Sequence, residues 1–240
     1  MGRRRQVRRQ RLKIYAFCEG ESEKQYLKRL GMDFSDRISI TPKVELFENA
    51  VRRFEKDAEY KKNIPELDEI WFFFDAGDID GMAKEWNTIQ PHIKTLRTLR
   101  RMRQKPQIRV RLLMTTGCLE YWLMLHFQKY RPAVLTKEQR DQVVRDLDKT
   151  CQNTFSRPYE KGNADIIDKI FTTGLGNAIQ YGAYYLQELE KSGLPPLTYP
   201  LEPDSGELDK RYEWLLSQTD TFTTVQEAIV FLRSLSPFIT

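Results

Sequence analysis

The sequence predicts an α/β protein whose central, mainly parallel four-stranded sheet is flanked by helices and followed by a mostly α-helical C-terminal part. Strand-like apolar segments alternate with helical segments up to about residue 130, and the crossovers of about 20 residues suit parallel neighbours. The run from Ile70 to Phe74 is apolar at every position, which is typical of a central strand covered on both faces. Beyond Pro132 the strand patterns disappear.

Each predicted element follows from residue spacing and from turn or capping residues. The predicted strands are 13–18, 38–47, 69–74 and 107–115. The predicted helices are 23–30, 48–62, 81–102 with a break at Pro91, 117–130, 136–150, 163–171, 177–191 and 224–234. Ser22, Thr136 and Thr224 are the expected N-caps, and Gly31 is the expected end of the first helix. These elements divide the chain into a basic arm (1–11), an α/β core (12–132) and a helical subdomain packed on it (133–240).

Composition places the chain among ordinary globular proteins. Of its 240 residues, 40% are hydrophobic and 30% charged. No apolar run approaches the roughly 18–20 residues that cross a bilayer, and the first residues lack the apolar core of a secretory signal. Three widely spaced cysteines fit neither a disulfide framework nor a zinc site. We therefore expect a cytoplasmic protein with reduced thiols and no membrane association.

Basic residues are concentrated in two places, within a net charge of +5. One is the N-terminal arm, and the other runs from Arg97 to Arg111. Such segments favour a polyanion by releasing its counterions, so nucleic acid is an expected partner. The candidate contacts are Arg97, Arg100, Arg101, Arg103 and Lys105. A solubilising arm and a solvated helix face are the alternative interpretations.

Carboxylates follow two of the predicted strands. Glu19 and Glu23 come after the first, with Glu21 between them expected to face solvent, and Asp75 and Asp78 come at the end of the third. Several carboxylates in one cleft are costly unless cations neutralise them. Oxygen ligands without nearby histidine or cysteine favour Mg²⁺ or Mn²⁺, which promote phosphodiester chemistry. Alternatively, these side chains only stabilise helix N-termini.

Four motifs, in order, resemble those of the RloB-like family of Toprim-domain proteins. Cys-Glu-Gly-Glu-Ser-Glu at 18–23 resembles the family's CEGxxTE, and the strand ending at Asp75 resembles its Asp-x-Asp motif. The segment 118–127, Cys-Leu-Glu-Tyr-Trp-Leu-Met-Leu-His-Phe, resembles CFExWLLLHF. Tyr159-Glu160-Lys161 resembles a later Y-x-K element. The resemblance covers about residues 12–185 and implies a Toprim-like core.

The resemblance also implies roles for individual residues. Glu19 matches the glutamate that acts as general acid/base or metal ligand, Glu23 a second ligand, and Asp75 the first aspartate of the pair. This chain has two residues between Asp75 and Asp78 where the family has one. Glu120 is a plausible further ligand. Lys161 is expected to contact phosphate or transition-state charge, a surface lysine being the alternative, whereas His126 is expected to be a core residue.

The resemblance therefore implies a Mg²⁺-dependent endonuclease, the toxic effector of a bacterial antiphage system controlled by an ABC-type ATPase. The sequence leaves open whether the substrate is DNA or RNA, tRNA included, and whether the active form is a homodimer. The alternative is a non-catalytic Toprim-like module that binds nucleic acid or the ATPase. Topoisomerases and primases of Toprim type need further domains that a chain of 240 residues does not readily hold.

Overall fold

The computed structural model describes residues 11–77, 85–100, 107–197 and 206–235, and four strands form its centre. They are β1 (Leu12–Cys18), β2 (Ile38–Val44), β3 (Glu69–Ala76) and β4 (Arg109–Thr116). Their order across the sheet is β2-β1-β3-β4, and every neighbouring pair is parallel. The predicted α/β class with a four-stranded parallel sheet and a helical C-terminal part is therefore confirmed.

The central position of β3 explains its continuous apolar run. Trp71 and Phe73 face one layer of the core, Phe72 and Phe74 face the other, and all four side chains are buried. On the second face, the Phe47 ring stacks on Phe72 with centroids 4.5 Å apart. A strand buried on both faces cannot alternate polar and apolar residues, so its sequence is apolar throughout.

Nine α-helices and a 3₁₀ turn accompany the strands in the described ranges. They are α1 (Glu21–Asp33), α2 (Phe47–Lys56), α3 (Ala58–Asn63), the 3₁₀ turn Ile64–Glu66, α4 (Trp86–Arg97), α5 (Leu119–Met124), α6 (Lys137–Phe155), α7 (Ala164–Lys191), α8 (Gly206–Leu216) and α9 (Val225–Ser234). Helix α7 packs on α1 and α9, and α9 packs on β4. The C-terminal helices thus share a hydrophobic core with the sheet, and in the part of the chain described no helix has the length and apolarity to cross a bilayer.

Several predicted helix boundaries were wrong. Helix α1 continues past Gly31, whose missing side chain is required because a Cβ there would lie 2.3 Å from Ile40 of β2. The predicted helix 48–62 is two helices separated at Asp57, which has extended backbone and caps α3. Conversely, 163–171 and 177–191 belong to one helix that is kinked at Gly174.

Further differences concern α4, α5, α8 and the predicted caps. Helix α4 passes through Pro91 without a break, and residues 81–84 and 101–102 of its predicted range lie outside the described residues. Helix α5 ends at Met124, well before residue 130, and α8 was not predicted. Thr136 caps α6, as predicted, and the structure adds a full capping box with Gln139. Thr224 occupies the predicted N-cap position of α9, but its hydroxyl binds the β4 backbone instead.

Candidate functional site

A cleft at the carboxyl edge of the sheet collects acidic side chains from several elements. Glu19 directly follows β1, Asp75 lies at the end of β3, and Glu120 lies in the first turn of α5, just after β4. Glu23, in the first turn of α1, joins them. The four residues line one cleft of about 260 Å³ together with Lys161. Parallel strands bring their carboxyl ends to the same sheet edge, which is where α/β proteins place their sites.

Backbone hydrogen bonds hold Glu19 against β3. Its own N–H donates to the Phe73 carbonyl at 3.1 Å, which extends the β1–β3 pairing by one residue. Its carboxylate Oε2 accepts from the backbone N–H of Asp75 at 3.0 Å. Asp75 in turn accepts a hydrogen bond from the Thr115 hydroxyl of β4 at 2.9 Å. Three neighbouring strand ends are therefore linked through two carboxylates.

The start of α1 directs one glutamate inward and the other outward. Gly20 is the N-cap, and no side chain caps the helix. Glu21 is exposed and forms an ion pair with Lys24 at 3.0 Å, whereas Glu23 is buried in the cleft wall. The prediction that Glu21 faces solvent while Glu23 enters the cleft is thus confirmed. Ser22 is not the predicted cap, because its hydroxyl accepts from the N–H of Gly162 at 2.8 Å.

Glu120 is buried, with 2% of its surface exposed, and the loop between α6 and α7 supplies its partners. The Tyr159 hydroxyl donates to Glu120 Oε1 at 3.0 Å. The ammonium of Lys161 lies 3.4 Å from the same oxygen. Lys161 is the one basic residue that lines the cleft in the described part of the chain. Its side chain remains 66% exposed, so it stands at the rim of the cleft.

Burial and mutual repulsion raise the pKa of two of these carboxyl groups above the ordinary value. Burial, then the charges of Glu120 and Glu19, raise the pKa of Glu23 to about 7, against a backbone hydrogen bond that lowers it. Burial, then Glu23 and Glu19, raise the pKa of Asp75 to about 8. Both shifts have the sign expected when like charges share a desolvated space. A bound cation would neutralise this repulsion.

The donor set suits a hard divalent cation. Glu19, Glu23, Asp75 and Glu120 offer only carboxylate oxygens, the ligands that Mg²⁺ and Mn²⁺ prefer. Within the described ranges, no three His, Cys, Asp or Glu side chains are grouped closely enough to form a ready metal-ligand cluster. The residues lining the cleft therefore fit such an ion in chemistry, while the ligand cage itself is not preassembled among them. Asp78, the predicted fifth ligand, lies outside the described residues.

The predicted nucleic-acid contacts are not brought together at this cleft. Arg97 is buried and forms a bidentate ion pair with Asp209 of α8, at 2.6 and 2.9 Å. Arg100 is buried and donates to the Leu67 carbonyl at 2.6 Å. Both guanidinium groups bind inside the protein, which leaves them badly placed for phosphate, and we do not retain them as contacts. Arg101, Arg103 and Lys105 lie outside the described residues, as do residues 1–10 of the basic arm.

His126 is a core residue, as predicted. It is fully buried, with Nε2 3.2 Å from the Tyr26 hydroxyl and Nδ1 3.1 Å from the Trp122 carbonyl. Burial lowers the pKa of His126 to about 4, so the ring is neutral at physiological pH.

Sequence reasoning missed the neutral residues that support the carboxylates, namely Ser22, Thr115 and Tyr159. Tyr159 belongs to the same quoted motif as Lys161, and its position close to that candidate residue in the sequence was the available signal for it.

Comparison with known proteins agrees with the motif analysis. The family model described as RloB-like protein matches residues 14–227, which includes the sheet, the cleft and most of the helical part. Neither the curated proteins nor the solved structures include a detectable match. Because the family model covers most of its length, the chain belongs to the RloB-like protein family.

Proposed function

We propose that this protein is a metal-dependent nuclease of Toprim type that hydrolyses phosphodiester bonds. The observation that carries the proposal is the cleft, where Glu19, Glu23, Asp75 and Glu120 arrive from separate elements at one sheet edge. Structural carboxylates would be expected to pair with internal cations. Here, burial and mutual repulsion raise the pKa of two of them, and such perturbed groups in a cleft are typical of functional sites.

Glu23, Asp75 and Glu120 are the residues proposed to hold Mg²⁺ or Mn²⁺. When bound, such an ion supplies water activation and charge neutralisation at the phosphate. The Asp75 amide and the Thr115 hydroxyl hold Glu19 and Asp75 in fixed orientations before substrate arrives. Glu19 is exposed to solvent, so it is available as a general acid/base for the attacking water or the leaving oxygen.

Lys161 is proposed to contact the substrate phosphate. Its ammonium already lies at the cleft beside Glu120, and its exposed side chain is free to reorient toward a non-bridging oxygen. A cation at that position would stabilise the negative charge that develops in the transition state.

The proposed biological role follows from the family. RloB-like membership and the motif resemblance support an effector of antiphage defence, paired with an ABC-type ATPase, acting in the cytoplasm on DNA or RNA, tRNA included. A homodimeric active form belongs to the same proposal. The basic residues Arg101, Arg103 and Lys105 remain candidate contacts for the nucleic acid.

Cleavage assays with cleft variants test the proposal. Purified protein, with and without the ATPase, is incubated with plasmid DNA, total RNA and tRNA in Mg²⁺ or Mn²⁺, and new ends are mapped. Glu19→Ala and Asp75→Ala should each abolish cleavage and leave the fold intact. Glu48→Ala is the matched control, because Glu48 also lies in the first turn of a helix that follows a strand, yet pairs with Arg52 outside the cleft. Full cleavage by folded Glu19→Ala would refute the assignment.

A non-catalytic binding module is the second candidate. The observation that favours it is that no ready metal-ligand cluster occurs among the described residues. Calorimetric titration with Mn²⁺ separates the two candidates. The nuclease should bind Mn²⁺ and lose that binding in Asp75→Ala. A module should show no Mn²⁺ heat and no cleavage, while still binding nucleic acid or the ATPase.

A further inference from the structure

The loop Tyr159–Gly162 joins α6 to α7 and is anchored to the cleft by groups that the proposed chemistry does not use. The backbone N–H of Tyr159 donates to Asp148 of α6 at 2.8 Å. Its ring is buried, with 9% of the residue exposed. The entry to the loop is therefore held in place before the chain reaches Lys161.

The hydrogen bonds of the Tyr159 hydroxyl have a definite direction. A hydroxyl has one proton to donate, and that of Tyr159 points to Glu120 Oε1 at 3.0 Å. The tyrosine oxygen is then left to accept, and the Ser22 hydroxyl lies 3.4 Å away. Ser22 itself accepts from the N–H of Gly162 at 2.8 Å. A chain of donors thus runs from Gly162 through Ser22 and Tyr159 to Glu120.

Gly162 closes this chain sterically. Its φ of +75° lies in the left-handed region that favours glycine. A Cβ at this position would also lie 3.2 Å from Cγ of Glu21, so the loop sits tightly on the first turn of α1. Lys161 lies between two anchored residues, with Tyr159 two positions before it and Gly162 directly after it. The anchored loop therefore places the Lys161 backbone so that its exposed side chain reaches within 3.4 Å of Glu120.

We propose that Tyr159 is a positioning residue, whose hydroxyl orients Glu120 for cation binding and docks the loop that presents Lys161. The inference rests on the proposed function and extends it to groups that do not touch substrate. Through Ser22, the same hydroxyl links the start of α1, which bears Glu23, to the start of α5, which bears Glu120. Removing it would disturb the relative placement of two proposed ligands from different elements.

Tyr159→Phe tests the inference, because it deletes one hydroxyl and keeps the ring. We expect the dissociation constant for Mn²⁺, measured by calorimetry, to rise about 10-fold or more, the usual effect of losing a partner that orients a metal ligand. We expect kcat for nucleic-acid cleavage to fall about 10- to 100-fold while KM changes less than twofold. Ser22→Ala should change both quantities in the same direction by less.

Tyr130→Phe is the matched control. Tyr130 also donates to a carboxylate, Asp146, at 2.8 Å, and neither residue lines the cleft. It should match Tyr159→Phe in thermal stability and leave Mn²⁺ binding unchanged. If wild type binds Mn²⁺ and Tyr159→Phe binds it equally well with unchanged kcat, the inference fails while the proposed function stands. If wild type itself binds no Mn²⁺, both are overturned.

Discussion

The two ends of the sheet treat buried carboxylates in opposite ways. At the amino end of β3, Glu69 is buried and accepts from Trp71 at 2.7 Å, from Arg109 at 2.9 Å and from Arg111 at 3.2 Å. The Arg111 guanidinium also lies 4.2 Å from the ring centroid of Phe231. Internal cations and an indole N–H therefore neutralise and bind this carboxylate within the protein.

The cleft at the carboxyl end is lined by Glu19, Glu23, Asp75 and Glu120, and among the described residues Lys161 is the one lysine that lines it. The difference in charge balance separates a carboxylate that supports the fold from the carboxylates that we propose bind an external cation. Breaking an internal ion pair by removing one partner lowers stability. A cluster of like charges lowers stability until a cation neutralises it. Removing one of these charges should therefore raise the free energy of unfolding. Perturbing each end in turn tests this contrast.

The largest expected effect is at the amino end. Glu69→Ala would remove the carboxylate that binds the buried Arg111, and the free energy of unfolding should fall by about 3–5 kcal/mol in chemical denaturation. Glu66→Ala is the control, because Glu66 forms an exposed ion pair with Lys13 and should cost about 1 kcal/mol or less. Equal losses in both variants would remove the distinction between the two ends.

Divalent cations should stabilise the protein through the cleft at the carboxyl end of the sheet and not through Glu69 at the amino end. At about 100 times its dissociation constant, Mg²⁺ should add roughly 2.7 kcal/mol to wild type by linkage, seen as a rise in melting temperature. Asp75→Ala should lose this rise, and Glu69→Ala should retain it if it remains folded. NaCl at matched ionic strength controls for screening. A rise of the same size in wild type and in Asp75→Ala would contradict the assignment of the cleft.

Glu23→Gln should stabilise the metal-free protein at alkaline pH. The pKa of Glu23 is raised to about 7 in the folded state, so its contribution to stability is fully present below its unfolded pKa, near 4.3, and is lost as pH rises through about 7. Glutamine does not ionise. The variant should therefore gain about 1–3 kcal/mol relative to wild type between pH 5 and pH 8.5 in EDTA. A difference that is independent of pH would show that Glu23 titrates normally.

The smallest expected effect concerns Lys161. Lys161→Gln removes a cation that competes for Glu120, so Mn²⁺ affinity should rise by up to about fivefold, because the exposed ammonium limits the strength of the pair to roughly 1 kcal/mol or less. Turnover should fall, because the same lysine is proposed to contact phosphate. Lys24→Gln, which breaks the exposed pair with Glu21, should change neither quantity. Weaker Mn²⁺ binding by Lys161→Gln would contradict this role.

Much of the fold was predictable because burial leaves a direct record in the sequence. The apolar run of β3 indicated a central strand, and Thr136 as an N-cap indicated the start of α6. Boundaries set by contacts between elements were not predictable. Gly31 continues α1 because β2 approaches it closely, and Pro91 lies inside α4 without ending it.

Charge alone misled the prediction of surface function. Arg97 and Arg100 belong to a cluster of basic residues in the sequence, but the fold turns both guanidinium groups inward. Arg97 meets Asp209, 112 residues further along the chain, in a helix that the sequence did not predict. The position of a long charged side chain depends on what packs over it, and composition carries no information on that.

The amino-acid sequence was sufficient to predict the parallel α/β architecture and to propose Glu19, Glu23, Asp75 and Glu120 as candidate site residues. Strand periodicity and the meeting of parallel strand ends at one edge are local or topological rules, so residues at those ends can be listed without coordinates. The way these residues are held depends on contacts between distant parts of the folded chain. Tyr159 meets Ser22 across 137 positions and Glu120 across 39, and Thr115 meets Asp75 across 40. A hydroxyl has no charge or periodic pattern that marks its partner in advance, so these supporting contacts exist only once the chain has packed.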